Sequence, residues 1–372
     1  MKALIFTMSC GEGHNAIAKS LGQEFDKIGI ENKIVQTFGF NHRREVRENK
    51  QYLWICKHFP QIYDYIWNKL RMQDKSTDKL PYYAKPCLPY FQKIIEEYKP
   101  DIIVCTHSYA SAVISYMKKN NMLSDKVVTG TILFDITLAP YWEHSNKVDY
   151  IFQPLPNTTE DLIKKGFKKE QIFTSGYPIR EVFYETYNKN ELRKKLAMGD
   201  KFTVLTTSGG NGLGNTKKLV KDIVNAKLDI TLIVINGRNK KTYHQVDKFI
   251  KKNNIKDVVN LGFVTNIDQY MKASDVIISR GGGNSTAETL NIHKPTIFRE
   301  KAIINEKITK QYFIENKCAF GMNKIADAKK YIKLLKEDKN LYEEMTRNTN
   351  NFIYKYSAKN IVNFLVDKTN NK

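Results

Sequence analysis

Short hydrophobic runs alternate along this chain with longer segments in which hydrophobic residues recur every three or four positions. Runs of about four to eight residues are typical of buried strands, whereas the wider spacing is typical of helices with one buried face. The run at 3–8 predicts a first strand, and Ile17, Leu21, Phe25 and Ile28 give the following segment an apolar helical face. Because this alternation repeats, it predicts an α/β fold in which helices cover both faces of parallel sheets.

The predicted strands form two series, separated by a Gly-Tyr-Pro sequence at 176–178. The N-terminal series contains the runs at 3–8, 34–38, 102–106, 127–134, 150–153 and 172–174. The C-terminal series contains the runs at 202–206, 230–235, 258–261, 276–279 and 296–298. A chain of 372 residues exceeds one ordinary domain. We therefore expect two doubly wound, Rossmann-like domains at 1–178 and 179–356, and a capped terminal helix at about 357–372.

Residues 42–90 interrupt the first series with basic residues interleaved among aromatic ones. Amphipathic rings and lysine side chains suit the headgroup level of a membrane, where one end of the side chain stays wet. This pattern favours a membrane-facing surface that includes Arg43, Arg44, Trp54 and Trp67. The alternative is a pair of helices packed on the edge of the sheet.

The overall composition is that of a soluble globular protein, with 41% hydrophobic and 27% charged residues. No apolar run approaches the length needed to cross a bilayer, and the N-terminal run passes into a glycine turn, unlike a signal peptide. The five cysteines are scattered without metal-ligand spacing, so neither a zinc site nor a disulfide framework is indicated. We expect a cytoplasmic protein with reduced thiols.

The chain carries a formal net charge of +21, most of it contributed by residues after position 150. Such an excess suits an anionic surface as partner, above all membrane lipid, although lysine-rich composition is an equally simple explanation. No nucleic-acid-binding motif is present, so no nucleic-acid partner is expected.

A glycine turn containing Gly11 and Gly13 follows the first predicted strand and ends at His14. Glycine tolerates positive φ and lets another molecule approach the backbone closely, so His14 would stand at a helix start beside a cleft. A helix N-terminus disfavours the imidazolium ion, which would leave His14 neutral near pH 7 and able to accept a proton. The alternative is that His14 only caps the helix.

Two further glycine-rich loops follow strands of the second series, at 208–214 and 279–286. Exposed amides at a helix N-terminus bind phosphate, and parallel strands bring such loops to one crevice, so the pair suits a diphosphate. Glu288 could then accept hydrogen bonds from a ribose diol. The alternatives are a flexible loop, since 208–214 lacks the Lys-Ser/Thr pair of a P-loop, and a helix-start charge at Glu288. The candidate binding residues are Gly209, Gly210, Gly212, Arg280, Gly282, Gly283, Ser285 and Glu288.

The order of these motifs resembles that of family 28 glycosyltransferases, and more narrowly that of monogalactosyl- and glucosyl-diacylglycerol synthases. The lipid II-forming N-acetylglucosaminyltransferase is a more distant relative. The resemblance covers nearly the whole chain and is carried, between the His14 turn and the 282–288 cluster, by Phe134, Asp135, Trp142, Val148, Asp149, residues 176–180, Leu192, Arg193, Leu196 and residues 209–214.

The resemblance implies a GT-B fold whose two domains face a central cleft, with a UDP-sugar held by the C-terminal domain and a lipid acceptor held by the N-terminal one. It implies inversion at the anomeric carbon, with His14 as the base and Glu288 as the ribose ligand. It further implies that Asp135 and Trp142 line the acceptor side, and that the helix from Ser357 crosses back to the first domain.

Two positions depart from the family pattern. The family often has a histidine where this chain has Ala139, and the family's Gly-Gln-Glu run for sugar recognition becomes Ile304, Asn305 and Glu306. The first departure concerns the acceptor, and the second concerns the identity of the sugar.

The chain contains no Asp-X-Asp motif for a metal. We therefore expect a site without a metal or other cofactor, in which the helix N-termini and Arg280 stabilise the departing diphosphate. The predicted activity is transfer of a hexose from a UDP-sugar to diacylglycerol by an enzyme bound peripherally to the inner face of the cell membrane. One alternative is an enzyme of the UDP-N-acetylglucosamine 2-epimerase type. Such an enzyme needs no membrane-facing segment, so residues 42–90 argue against it. The other is a non-catalytic module that binds nucleotide sugar or lipid.

Overall fold

Two parallel six-stranded sheets form the framework of the protein, one in each of two structural units. The computed structural model describes residues 1–9, 13–71, 80–133, 135–207, 215–300 and 302–372. The first unit comprises Met1–Arg180, Ile303–Asn305 and Tyr354–Lys372, and the second comprises Glu181–Ala302 and Glu306–Ile353. The expected α/β fold with two doubly wound domains is confirmed.

The sheet of the first unit has the strand order β2-β1-β3-β4-β5-β6. Its strands are β1 (Lys2–Thr7), β2 (Glu31–Gln36), β3 (Ile102–Cys105), β4 (Val128–Ile132), β5 (Tyr150–Gln153) and β6 (Ile172–Thr174). The helices up to this point are α1 (Gly13–Lys27), α2 (His42–His58), α3 (Pro60–Arg71), α4 (Leu88–Tyr98), α5 (Ser108–Lys119) and α6 (Thr159–Lys164).

The interior strand β1 is buried on both faces. Leu4 and Phe6 belong to one hydrophobic cluster, and Ala3 and Ile5 belong to another on the opposite face. A strand covered on both sides needs hydrophobic residues at nearly every position, which explains the continuous run in the sequence. The parallel register aligns Phe6 with Val35 of β2 and Cys105 of β3, so these strands end at a common edge.

The sheet of the second unit has the strand order β12-β11-β10-β7-β8-β9. Its strands are β7 (Thr203–Thr207), β8 (Thr231–Ile235), β9 (Val258–Leu261), β10 (Val276–Ser279), β11 (Thr296–Phe298) and β12 (Ala319–Gly321). The helices that follow α6 are α7 (Lys189–Lys195), α8 (Thr216–Asn225), α9 (Lys240–Lys252), α10 (Ile267–Ala273), α11 (Gly283–Asn291), α12 (Ile304–Glu315), α13 (Asp327–Glu337) and α14 (Lys339–Asn348). Strand β12 was not expected from the sequence.

The last helix, α15 (Ser357–Asn370), lies in the first unit, where it packs against α1. Ile361 and Leu365 are buried in the cluster that also contains Ile17 of α1. Leu365 approaches Gly130 of β4 so closely that a Cβ at that glycine would lie 3.2 Å from a Leu365 methyl carbon.

The expected cap of α15 is not formed by a side chain. Tyr356 occupies the cap position in the left-handed region (φ 58°) without a side-chain hydrogen bond to the helix. The hydroxyl of Ser357 instead donates to the carbonyl of Gly176 (3.0 Å), which ties the start of α15 to the segment after β6.

Candidate functional site

His14 lies in the first turn of α1, directly beyond the carboxyl end of β1. Its Nδ1 donates a hydrogen bond to the backbone carbonyl of Thr106, the residue after the neighbouring strand β3. The proton of a neutral ring therefore sits on Nδ1, and Nε2 carries the lone pair. This tautomer leaves His14 able to act as a base through Nε2.

Burial lowers the pKa of His14 to about 4, because the charged ring would lose its hydration. The hydrogen bond to the Thr106 carbonyl acts in the opposite direction and only partly offsets this effect. His14 is therefore neutral at pH 7, as the sequence predicted. The largest cause is burial, whereas the sequence had suggested the helix N-terminus.

A second histidine, His107, lies beside His14 and was not predicted. The two ring centroids are 4.8 Å apart and the rings meet edge to face at 65°. His107 Nδ1 accepts a hydrogen bond from the backbone N–H of Tyr109 (3.1 Å) and so caps α5. Burial and the nearby His14 hold the pKa of His107 well below its usual value. The available signal was its position: like His14, it follows a buried strand and precedes a helix.

The residues expected on the acceptor side follow β4. Asp135 is half-buried and accepts a hydrogen bond from the side-chain amide of Asn305 within the first unit (3.1 Å). Trp142 is only 3% exposed and belongs to the core cluster of this unit, against which Ala139 also packs. In this structure the indole of Trp142 is therefore part of the hydrophobic core of the first unit.

The loop after β10 has the geometry of an anion-binding turn. Gly281 has a φ of 92°, a conformation that favours glycine, and a Cβ at this position would lie 3.1 Å from the Lys310 side chain, a tight contact. Gly282 occupies the cap position of α11 without a side-chain cap, and Gly283 is the first residue of this helix. A helix N-terminus without a side-chain cap presents its backbone amides to a ligand.

The other expected residues of this loop lie on α11. The hydroxyl of Ser285 donates to the carbonyl of Gly282 (3.1 Å) and tightens the turn. Glu288 is half-buried and is the sixth residue of the helix, so it lies in the second turn and not in the first as expected. A position beyond the first turn gains little from the helix dipole, which argues against a role for Glu288 as a helix-start charge.

Arg280 and Glu306 form an ion pair in the second unit, with Nη2 and Oε2 3.0 Å apart. Both side chains are largely buried, with 19% and 13% of their surfaces exposed. Arginine has five N–H donors in a planar fork, so one carboxylate does not use its full capacity. The sequence predicted both residues as ligands, but it did not predict that they pair.

Gly209, Gly210 and Gly212 lie outside the described residues. The ends of their loop are described: β7 stops at Thr207, and Asn215 caps α8 by accepting a hydrogen bond from the N–H of Lys218 (3.2 Å). Because β7 and β10 are parallel neighbours, with Thr206 aligned to Ile278, the two glycine loops begin at the same edge of the sheet.

The described part of the segment expected to face a membrane contains the two helices α2 and α3, and residues 72–79 lie outside the described residues. Arg43 and Trp54 are exposed, and 55% of the Trp54 surface is accessible. The guanidinium of Arg44 instead lies over the Phe38 ring, 4.8 Å from its centroid. Trp67 is only 5% exposed, so the expectation that its ring faces a membrane is wrong for this structure.

The exposed side chains of these two helices form two stripes. Arg43, Arg47, Lys50 and Trp54 are all exposed and recur at helical spacing, so they share one face of α2, which we name the α2 stripe. By the same reasoning, an α3 stripe is formed by Ile62, Tyr65, Ile66 and Lys69. Three exposed apolar side chains lie together on this face of α3, and contiguous exposed apolar patches often mark interaction surfaces.

None of the helices in the described part of the chain is long and hydrophobic enough to span a membrane. In the same part of the chain, no cluster of three or more histidine, cysteine or acidic side chains has an arrangement suited to a metal ion.

Two family models match the chain in succession. Residues 14–179 match the model of monogalactosyldiacylglycerol synthase, and residues 203–360 match that of the C-terminal domain of glycosyltransferase family 28. The chain is also 25% identical to the processive diacylglycerol beta-glucosyltransferase of Bacillus pumilus, in an alignment that covers 100% of this chain and 97% of the relative.

Similar folds are found in solved structures of low sequence identity. The MurG structure from Acinetobacter baumannii aligns over 99% of this chain and 100% of its own length, with a TM-score of 0.65 and 11% identity. The UDP-GlcNAc 2-epimerase from Neisseria meningitidis, solved with UDP-GlcNAc, aligns over the same shares with a TM-score of 0.63 and 16% identity. These structural similarities indicate that the two-domain α/β fold has the GT-B architecture, as expected from the sequence.

Proposed function

Because residues 14–179 and 203–360 match, in succession, the models of monogalactosyldiacylglycerol synthase and of the C-terminal domain of glycosyltransferase family 28, we propose that the protein transfers a hexose from a UDP-sugar to diacylglycerol. The acceptor is supported by the full-length similarity to a diacylglycerol glucosyltransferase. The observation that carries the proposal is the His14 ring, which is neutral and held by Thr106 in the tautomer that a base requires.

His14 is the general base of the proposed reaction. Its Nε2 takes the proton of the acceptor hydroxyl as the oxygen of that hydroxyl forms a bond to the anomeric carbon. The bond from the anomeric carbon to the diphosphate oxygen breaks at the same time, and UDP departs with the electron pair. Attack from the side opposite UDP inverts the anomeric configuration.

The second unit binds the donor in this proposal. The amides at the start of α11, next to Gly282 and Gly283, and the guanidinium of Arg280 compensate the charge that develops on the departing diphosphate. The loop with Gly209, Gly210 and Gly212 contributes further amides. Ser285 tightens the loop at 279–286, and Glu288 accepts hydrogen bonds from the ribose diol. Asn305 and Glu306 contact the sugar. No cofactor or metal takes part.

The α2 and α3 stripes are proposed to hold the enzyme on an anionic membrane, at the inner face of the cell membrane. The α2 stripe contains three cations and a tryptophan, and the exposed apolar residues of the α3 stripe follow it in the sequence. This combination suits interfacial binding, in which cations attract acidic headgroups and apolar side chains enter the interface. Access to a lipid acceptor requires such an attachment, because diacylglycerol remains in the bilayer.

Product analysis tests the proposed reaction. We expect a hexosyl-diacylglycerol when the protein is incubated with anionic vesicles containing diacylglycerol and a mixture of UDP-glucose, UDP-galactose and UDP-N-acetylglucosamine, followed by mass spectrometry of the lipids. The product should be the same with and without EDTA. An isomerised UDP-sugar without a new lipid would favour the epimerase alternative, and UDP binding without any product would favour the binding module.

The pH dependence of the reaction tests the role of His14. The base must be neutral, so kcat/KM falls as the pH falls through the pKa of the base in the free enzyme. Because burial lowers this pKa to about 4, we expect kcat/KM to stay level from pH 7.5 down to about pH 5, where a free histidine would already be protonated. The far-ultraviolet circular dichroism of each sample confirms that the protein is still folded. An acid limb centred near pH 6.5 would contradict the assignment.

A further inference from the structure

Arg299 is one of the largest fully buried side chains in the protein, with only 2% of its surface exposed. It directly follows β11, and its backbone N–H donates to the carbonyl of Ser279 at the end of β10 (2.8 Å). A buried guanidinium is unfavourable unless hydrogen bonds and counter-charges compensate it. Its partners therefore show what the arginine holds in place.

The guanidinium of Arg299 reaches the first residue of α8. Nη1 donates to the hydroxyl of Thr216 at 3.2 Å, and Thr216 is itself only 3% exposed. In the sequence, Thr216 comes two residues after the glycine-rich segment 208–214, with the capping residue Asn215 between them. Arg299 thus connects the end of β11 to the start of α8, the helix that follows the glycine-rich segment 208–214.

Lys310 of α12 also contacts Arg299. Its Nζ donates to the backbone carbonyl of Arg299, and its side chain lies against Gly281 of the second glycine loop. Burial lowers the pKa of Lys310 to about 8, with Glu306 opposing the shift, so the amine is still mainly protonated at pH 7. Arg299 and Lys310 therefore connect Thr216, at the start of α8, with Gly281 of the loop after β10.

The charged group around Arg299 has more cations than anions. Arg280, Arg299 and Lys310 face the carboxylates of Glu300 and Glu306, with Arg299 Nε 3.8 Å from Glu300 and Arg280 Nη2 3.0 Å from Glu306. These five side chains carry a formal net charge of +1, in surroundings where charges are poorly screened. An anion bound at this edge of the sheet would balance it.

We propose that Arg299 is a positioning residue of the diphosphate subsite, which fixes the start of α8 through Thr216 and places a permanent positive charge behind the phosphates. The inference rests on the proposed function, since it assigns the diphosphate of a UDP-sugar to this edge. Arg299 does not contact the substrate in this proposal. It acts through Thr216 and through the electrostatic potential of the group.

Binding of UDP and of uridine to the full-length protein, measured by calorimetry, tests the proposal. Removing the charge in Arg299→Met should weaken UDP binding by about 10- to 100-fold, the range for a charge-assisted interaction, and change uridine binding by less than about twofold. Arg299→Lys, which keeps the charge but not the planar donor, should give an intermediate loss. A purely structural role would weaken both ligands equally, and that result would overturn the proposal.

Thr216→Val provides a test that does not depend on replacing the buried arginine. It removes the hydroxyl that accepts from Arg299 and keeps the shape of the side chain, so the fold should persist even if Arg299→Met does not fold. We expect a selective loss of UDP affinity of about 3- to 10-fold, in line with one hydrogen bond. Unchanged UDP affinity in Thr216→Val would refute the positioning role. If the wild-type protein binds UDP no better than uridine, the proposed function fails together with this inference.

Discussion

Replacement of His14 by glutamine is expected to lower kcat about 100- to 10,000-fold, the usual contribution of a general base. Glutamine retains an amide that can donate to the Thr106 carbonyl, as Nδ1 does now, but it cannot take a proton from the acceptor hydroxyl. UDP affinity should be unchanged, because the proposed donor site lies in the second unit. The measurement is single-turnover transfer at saturating UDP-sugar, with UDP binding followed by calorimetry.

His244 provides the matched control for this experiment. It is an exposed histidine on α9 of the second unit, so His244→Gln should leave transfer within about twofold of the wild-type rate, as for most surface substitutions. If His14→Gln folds normally and retains full turnover, His14 is not the base. A parallel fall in UDP affinity and in turnover would indicate a structural effect on the whole protein.

Neutralisation of the α2 stripe should give the second large effect, a loss of binding to anionic vesicles of about 100-fold. Each cation near an anionic leaflet contributes about 1 kcal/mol, so the triple change Arg43→Gln, Arg47→Gln and Lys50→Gln removes about 3 kcal/mol. Attraction of this kind is screened over about 8 Å at physiological ionic strength. Wild-type binding should therefore weaken with added salt, and the variant should respond little. Vesicle sedimentation at several salt concentrations measures both effects.

Three lysines on α9 allow a matched control. Lys241, Lys248 and Lys252 are exposed in the second unit and recur after seven and four positions, so they share one face of α9. Their replacement by glutamine removes the same net charge, and we expect it to lower vesicle binding far less. Equal losses in the two triple variants would show that total charge, and not the α2 stripe, governs binding. Salt-independent binding of the wild-type protein to neutral vesicles would show that electrostatic attraction does not drive its membrane binding.

The hydrophobic pattern predicted the sheets well because parallel strands are buried on both faces. Strands such as β5 and β10 begin and end at the predicted residues, since a continuous buried run has few alternative structures. Strand β12 escaped notice because Ala319–Gly321 is short and ends in glycine, which carries no hydrophobic signal. The same logic placed His14 correctly at the start of α1, because a strand, a glycine turn and a helix leave little freedom.

The pattern could not decide which face of α3 would be buried. Both faces carry aromatic or aliphatic residues, with Trp67 on one and Ile62, Tyr65 and Ile66 on the other. The structure buries Trp67 together with Asp64, which leaves the more aliphatic face exposed. Only tertiary packing makes this choice, so the sequence wrongly placed Trp67 on the exposed face. The membrane-facing role of 42–90 stays a prediction.

The histidine pair shows a different limit of sequence reasoning. His14 and His107 are 93 positions apart, and they meet only because β1 and β3 are neighbours in the sheet order. The low pKa of His14 depends on the burial that this packing creates, and a sequence motif contains no information about it. The ion pair between Arg280 and Glu306 likewise joins two segments whose proximity the sequence does not encode locally.

The return of α15 to the first unit has a consequence for biosynthesis. The helix that carries His14 completes its packing with residues made more than 340 positions later, such as Ile361 and Leu365. During translation the ribosome must therefore produce the entire second unit before the first can close its core. Folding of α1 against its final partner is a late, long-range event, and such non-local contacts slow folding. Until then α1 lacks its packing partner α15, and the proposed base lies in an incompletely packed helix.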